Sequence, residues 1–213
     1  MSDETAGSVI GVLLFEGVEE LDFVGPWEVF GAARDCGADL QTLSVAEQSG
    51  LLRCAHGLRV SADCGFDEAP PLDILVIPGG YGTRKACISA PTLRWICKAS
   101  EDARWVASVC TGARLLAQTG LTARRKMTTH WQFLSELAAR KDVEVVTNQR
   151  YVRDGKFISA AGVSAGIDMS LWLVGQIFGD LIAQETQAYM EYDPEPPYDI
   201  RQRLGRAAPS DPQ

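Results

Sequence analysis

The sequence predicts an α/β protein in which a mostly parallel sheet carries helices on both faces. Two observations carry that prediction. Short apolar runs such as Ile74-Leu75-Val76-Ile77 are continuous rather than alternating, the pattern of strands covered on both sides. These runs alternate along the chain with segments of helical periodicity, which is the order of a parallel sheet built from crossover units. The 213 residues, 46% of them hydrophobic, suffice for one substantial core at the usual ~100–200 residues per domain. One domain is expected over residues 8–192, with polar terminal segments at 1–7 and 193–213.

Taken in order, Val9 to Phe15 is an apolar run with a single glycine and reads as a strand buried on both faces. Pro26 to Arg34 follows as a helix, with Trp27, Phe30 and Ala33 at helical spacing. Leu40 to Val45 is a second strand, and two short alternating pieces around His56-Gly57 make a hairpin that decorates the sheet. Asp73 to Pro78 is the strongest strand in the sequence. Pro91 to Ala99 begins as a helix with proline in its first turn. Trp105 to Val109 is another apolar run that ends at Cys110, and Thr111 to Gln118 continues as a helix that Gly120 stops. Trp131 to Arg140 reads as a helix and Val143 to Thr147 as a strand. Tyr151-Val152-Arg153 and Phe157-Ile158-Ser159 pair across Asp154-Gly155. A helical stretch from Ser164 to Tyr189, broken near Gly179, closes the fold. Pro194-Glu195-Pro196-Pro197 and the polar end from Arg201 to Gln213 cannot extend the core and are expected on the surface or disordered.

Twenty basic against 28 acidic residues give a formal charge of −8. No basic run exceeds Arg124-Arg125-Lys126, so the concentrated basic face that nucleic acid requires is missing. No apolar stretch approaches the ~20 residues of a membrane span, and Met1-Ser2-Asp3-Glu4-Thr5 has no signal-like core. A cytoplasmic protein acting on a small-molecule substrate is expected, with neither nucleic acid nor membrane as partner. The six cysteines, Cys36, Cys54, Cys64, Cys87, Cys97 and Cys110, form no CxxC pair. With His56 and His130 far apart in sequence, they read as free thiols rather than as metal ligands.

Cys110 is the leading candidate for chemistry. Ser108-Val109-Cys110-Thr111-Gly112 places it between a buried strand and a helix, a nucleophile elbow, with small residues two before and two after the sulfur. The following helix N-terminus is expected to favour thiolate at neutral pH. Gly79 and Gly80, after the strand that ends at Pro78, can present backbone N–H groups to an anionic centre together with that of Thr111. Gly79-Gly80-Tyr81-Gly82 matches neither GxGxxG nor a Walker A loop. Asp22, flanked by Leu21 and Phe23, is a carboxyl whose pKa apolar neighbours would raise, and it can shuttle a proton. His130, in Thr128-Thr129-His130-Trp131, is the base of a Cys–His pair, or else Thr129 or His130 caps the following helix; the cap is the favoured reading. His56, in its hairpin, reads as a surface residue. Asp168 reads as a stabilising acid near a helix N-terminus.

These residues together resemble the DJ-1/PfpI superfamily: PGG after a strand, SVCTGA at an elbow, TTHW, and GVSAGID leading a long helix. The resemblance covers roughly residues 8 to 200 and implies a flavodoxin-like fold. LDFVGP, threonine after the cysteine, and the EYDPEPPY tail are similar to the isocyanide hydratase branch and to the ligand-binding half of AraC-type regulators. Carried over by motif, the resemblance implies Cys110 as nucleophile, Asp22 as its acid/base partner and Thr111 as a neighbouring hydroxyl, with Gly80 lining the oxyanion site. It also implies a homodimer. Protease-like relatives carry histidine immediately after the cysteine, where this chain has Thr111, so a peptidase would lack its usual base.

The activity this implies is addition of water to an isocyanide to give an N-substituted formamide, with neither metal nor organic cofactor. Val163, Phe23 and Trp131 are the expected apolar lining. The alternatives are a small-molecule sensor related to the regulator half, a redox or stress-response protein in which Cys110 is oxidised reversibly, and an amidase.

Overall fold

The computed structural model describes residues 7–200 and 202–204. Seven strands form the central sheet: β1 (Ser8–Leu13), β2 (Leu40–Ala46), β5 (Cys64–Gly65), β6 (Ile74–Ile77), β7 (Trp105–Val109), β10 (Tyr151–Asp154) and β11 (Phe157–Ala160). Their order across the sheet is β10-β11-β7-β6-β1-β2-β5. All neighbours are parallel except the edge hairpin β10–β11. The central strand β6 is apolar and buried at every position because both faces are covered. In β6, Ile74 and Val76 face one core cluster, whereas Leu75 and Ile77 face the other.

On the first face lie α1 (Glu20–Asp35), α6 (Ala165–Phe178) and α7 (Asp180–Tyr189), with Phe30, Met169 and Leu173 among their buried residues. The second face carries α3 (Ala90–Asp102) and α4 (Gly112–Gln118), which contribute Trp95, Ile96, Leu115 and Leu116. Ser89 caps α3, its hydroxyl accepting the Thr92 N–H, and Pro91 occupies the first turn. Gly179, at φ +93°, separates α6 from α7. β3 (Leu51–Arg53) and β4 (Arg59–Ser61) pair antiparallel as the hairpin beside the sheet.

Three elements depart from the sequence reading. α1 begins at Glu20, six residues before Pro26, so Asp22 lies in its first turn rather than in a loop after the strand. Pro26 removes one helical donor, the one that would bond the Asp22 carbonyl, and the surrounding burial against α6 tolerates the loss. The segment expected as a strand over Val143–Thr147 pairs only at β9 (Glu144–Val145), with β8 (Lys126–Met127), in a separate parallel ribbon outside the main sheet. The segment expected as one helix from Trp131 is a 3-10 turn over Trp131–Phe133 followed by α5 (Leu134–Ala139). The two-residue β5 and the one-turn helix α2 (Thr83–Ala86) carry too little periodicity to be read from sequence. Of the polar terminal segments, residues 193–200 are exposed, and 1–6, 201 and 205–213 lie outside the described residues. Among the described residues, no helix is long and apolar enough to cross a membrane.

β1 connects to β2 on one side, whereas β6, β7 and β11 are laid down on the other. The topology therefore reverses between β1 and β6, the place where open α/β sheets leave a crevice at the carboxyl ends of their strands.

Candidate active site

Three neighbouring strands deliver the candidate residues to this crevice. β1 leads into α1 and Asp22, β6 into Gly79 and Gly80, and β7 into Cys110. The elbow is present as backbone geometry: Cys110 has φ +56°, a left-handed conformation that non-glycine residues seldom adopt. Hydrogen bonds at both ends of the residue hold it there. Its N–H donates to the carbonyls of Ala160 (3.2 Å) and Ala161 (2.8 Å) at the end of β11, and its carbonyl accepts the Thr129 hydroxyl at 2.7 Å. Two residues on, a Cβ at Gly112 would stand 2.0 Å from the Ile77 carbonyl oxygen, so no other residue fits there.

Asp22 is 0% exposed. One carboxyl oxygen, Oδ2, accepts the Gly79 N–H at 2.9 Å, and the other, Oδ1, is buried without a hydrogen-bond partner. The Gly79 carbonyl in turn accepts the Glu19 N–H at 2.9 Å, which clasps the start of α1 to the turn after β6. Burial raises the Asp22 pKa to about 7 against the opposing pull of the Gly79 bond, with the Glu19 charge adding to the rise. The Cys110 thiol is its close neighbour. Burial and the Asp22 carboxylate push that thiol up to about 12, while the backbone N–H groups of Thr111 and Val163 pull it down. A thiolate at neutral pH, expected from the helix N-terminus, is therefore corrected: α4 has only seven residues, and burial beside an acid outweighs it. The pair behaves as two groups in one buried space that resist carrying two negative charges together.

The glycine amides are also reassigned. The N–H of Gly79 is taken by Asp22 and that of Gly80 by Thr111 Oγ1 at 2.9 Å, so neither is free for a substrate oxyanion. The Thr111 hydroxyl also donates to the Gly80 carbonyl at 3.4 Å, which fixes the turn against the elbow. The backbone amides that lower the thiol pKa are those of Thr111 and Val163. Val163 thus contributes its backbone as well as its side chain.

Above the thiol lies a cavity of about 270 Å³ lined by Cys110, Thr111, Gly80 and Val163 at its base and by Tyr81 and Phe133 among its apolar walls. Phe23 and Trp131, expected as lining, are elsewhere: Phe23 is buried in the core, and Trp131 lines an adjoining groove. His130 borders the cavity, but its Nδ1 accepts the Gln132 N–H at 3.3 Å as a cap, and burial lowers its pKa. His56 is exposed, as expected, and at the cavity rim its Nε2 lies 3.1 Å from Glu19 Oε1. Asp168 is remote from the cavity, bound instead to Arg150 and Tyr192. Thr129 and Glu19 were not identified from sequence as site residues. The adjacency of Thr129 to His130 and of Glu19 to Asp22 was the only signal available.

A sequence model of the DJ-1/PfpI family matches residues 8–176. An isonitrile hydratase from Pseudomonas putida is 35% identical over 190 residues, covering 89% of this chain and 81% of its own. The HTH-type transcriptional regulator CdhR of Pseudomonas aeruginosa is 26% identical over 175 residues, 82% of this chain but 52% of the regulator. Among solved structures, a ThiJ/PfpI family protein from Pseudomonas syringae superposes with a TM-score of 0.84 at 32% identity, covering 91% of this chain and 78% of that one.

Proposed function

The chain belongs to the DJ-1/PfpI family, and from that premise we propose that it hydrates an isocyanide, R–NC, to the formamide R–NH–CHO, with Cys110 as nucleophile and Asp22 as proton carrier. The observation that carries the reading is the buried pair of Cys110 and Asp22, with the pKa of the acid near 7 and no imidazole bonded to the sulfur among the described residues. An isocyanide needs a nucleophile and a proton at the same terminal carbon, and this pair supplies both. Sulfur bonds to that carbon while the proton held by the pair is delivered to it, giving the thioimidate R–N=CH–S–Cys110. Water then adds to the C=N carbon. The Asp22 carboxylate accepts a proton from the water and passes it to the nitrogen. The C–S bond of the resulting R–NH–CH(OH)–S–Cys110 breaks, the hydroxyl proton returns to the pair, and the formamide leaves with the thiol restored.

The N–H groups of Thr111 and Val163 stabilise negative charge on sulfur as it attacks and as it departs. Amide hydrolysis additionally requires protonation of a poor amine leaving group. Here the residue after the nucleophile is Thr111, and the Nδ1 of His130 is engaged as a cap, which disfavours the peptidase reading. The likeness to CdhR favours a second reading, in which the cavity binds a small molecule without turning it over. The test is formamide production from an aliphatic isocyanide by the wild type, Cys110→Ala and Asp22→Asn. Turnover lost in both variants supports the hydratase, whereas saturable binding without product supports the sensor.

A further inference from the structure

The charge around the cavity runs against that of the protein. The chain carries −8 overall, yet Arg84 on α2 and Arg114 on α4 line the cavity above Cys110. The carboxylate of Glu19, which also lines the cavity, is engaged by His56. Asp22 lies behind the Gly79 turn with no exposed surface. Arg114 pairs through its Nε with Glu136 at 3.2 Å, and Glu136 lines the small adjoining cavity that shares Thr111, Arg114 and Phe133 with this one. Arg84 has no carboxylate partner among the described residues. Its guanidinium lies 5.9 Å from the centre of the Tyr81 ring, itself a lining residue.

We propose that Arg84, assisted by Arg114, forms a carboxylate subsite, so that the molecule presented to Cys110 bears an anionic group a short distance from the reacting carbon. The inference rests on the hydratase reading for the identity of the reacting group, an isocyanide, but not for the subsite itself. A guanidinium offers a planar fork of donors matched to a carboxylate. The Tyr81 ring at 5.9 Å gives the Arg84 guanidinium a cation–π neighbour at the cavity. Phe133 and Val163 accept the aliphatic part between the two ends. At about 270 Å³ the cavity suits a small molecule with a short linker rather than a polymer.

Two matched pairs of probes test this at low ionic strength, where such attraction is least screened. Isocyanoacetate and methyl isocyanoacetate differ in one negative charge, as do iodoacetate and iodoacetamide, which alkylate Cys110 directly. The anion-to-neutral rate ratio is read for each pair, and for alkylation it should exceed that of a free thiol. It should fall about tenfold in Arg84→Gln, the scale of a lost hydrogen bond between charged groups. Arg34→Gln, which removes the same charge from the far end of α1, should leave both ratios unchanged. Ratios equal in wild type and Arg84→Gln overturn the subsite, as does an equal fall in Arg34→Gln, which would mark a general field effect. If the alkylation ratio responds to Arg84→Gln while neither isocyanide is hydrated, the subsite is upheld and the hydratase reading fails.

Discussion

Replacing Asp22 by asparagine should drive two properties of Cys110 in opposite directions. The thiol is held at about 12 by burial first and by the Asp22 carboxylate second. At pH 8 only about one molecule in 10⁴ is then thiolate. Asparagine keeps the shape and an oxygen for the Gly79 N–H, removes the charge, and can turn an N–H donor toward the sulfur. The thiol pKa must fall, and each unit of fall raises the thiolate fraction about tenfold. Alkylation of Cys110 by iodoacetamide, followed by peptide mass mapping against pH, should therefore become faster. Hydration should drop ~10²-fold or more because the proton carrier is gone.

The same substitution should change the pH dependence of stability. An acid whose folded pKa is about 7 against a model value of 3.8 favours the folded state below pH 4 and loses that advantage as pH rises through 7. The difference amounts to roughly 4 kcal/mol at 1.36 kcal/mol per unit. Asp22→Asn should consequently gain stability relative to wild type between pH 4 and pH 8, read by denaturant unfolding at each pH. Slower alkylation with retained turnover, or a stability difference flat across that range, would refute the reasoning.

The remaining expectations concern the elbow and its neighbours. Thr129→Val leaves the Cys110 carbonyl without its side-chain donor and should cost ~1–3 kcal/mol in denaturant unfolding, with kcat falling more than KM rises. In Gly112→Ala the new Cβ would meet the rigid backbone of Ile77, and the loss should reach about 3 kcal/mol or more; unchanged stability would mean the elbow can relax. His130→Ala should leave hydration within about threefold, below the ~10²-fold minimum for a lost acid–base catalyst, and cost ~1 kcal/mol for the lost cap. Peptidase activity abolished by that substitution would point to an amide-cleaving enzyme.

The alternation of buried runs and helical periods in the sequence was enough to determine the α/β class, because each element records its own surroundings within five to fifteen residues. Cys110 was legible for the same reason: an elbow is a local event, written in Ser108, Gly112 and the apolar run before it. Asp22 was legible as an unusual acid but was placed ahead of the helix, because Pro26 looks like the start of a helix that begins at Glu20. Val143 to Thr147 has the apolar character of a strand in the main sheet, yet its partner is the two-residue β8, and pairing partners are not encoded in local periodicity. The tertiary structure alone decided that β1, β6 and β7 lie side by side and so bring residues 22, 79 and 110 together. It also decided which donor serves which acceptor. The amides of Gly79 and Gly80 are spent on Asp22 and Thr111, those of Thr111 and Val163 turn to the sulfur, and Thr129 crosses to the Cys110 carbonyl. Hydrogen bonds of this kind join atoms within about 3 Å, and burial sets the charge of the pair they surround, so neither follows from the order of residues until the chain has closed on itself.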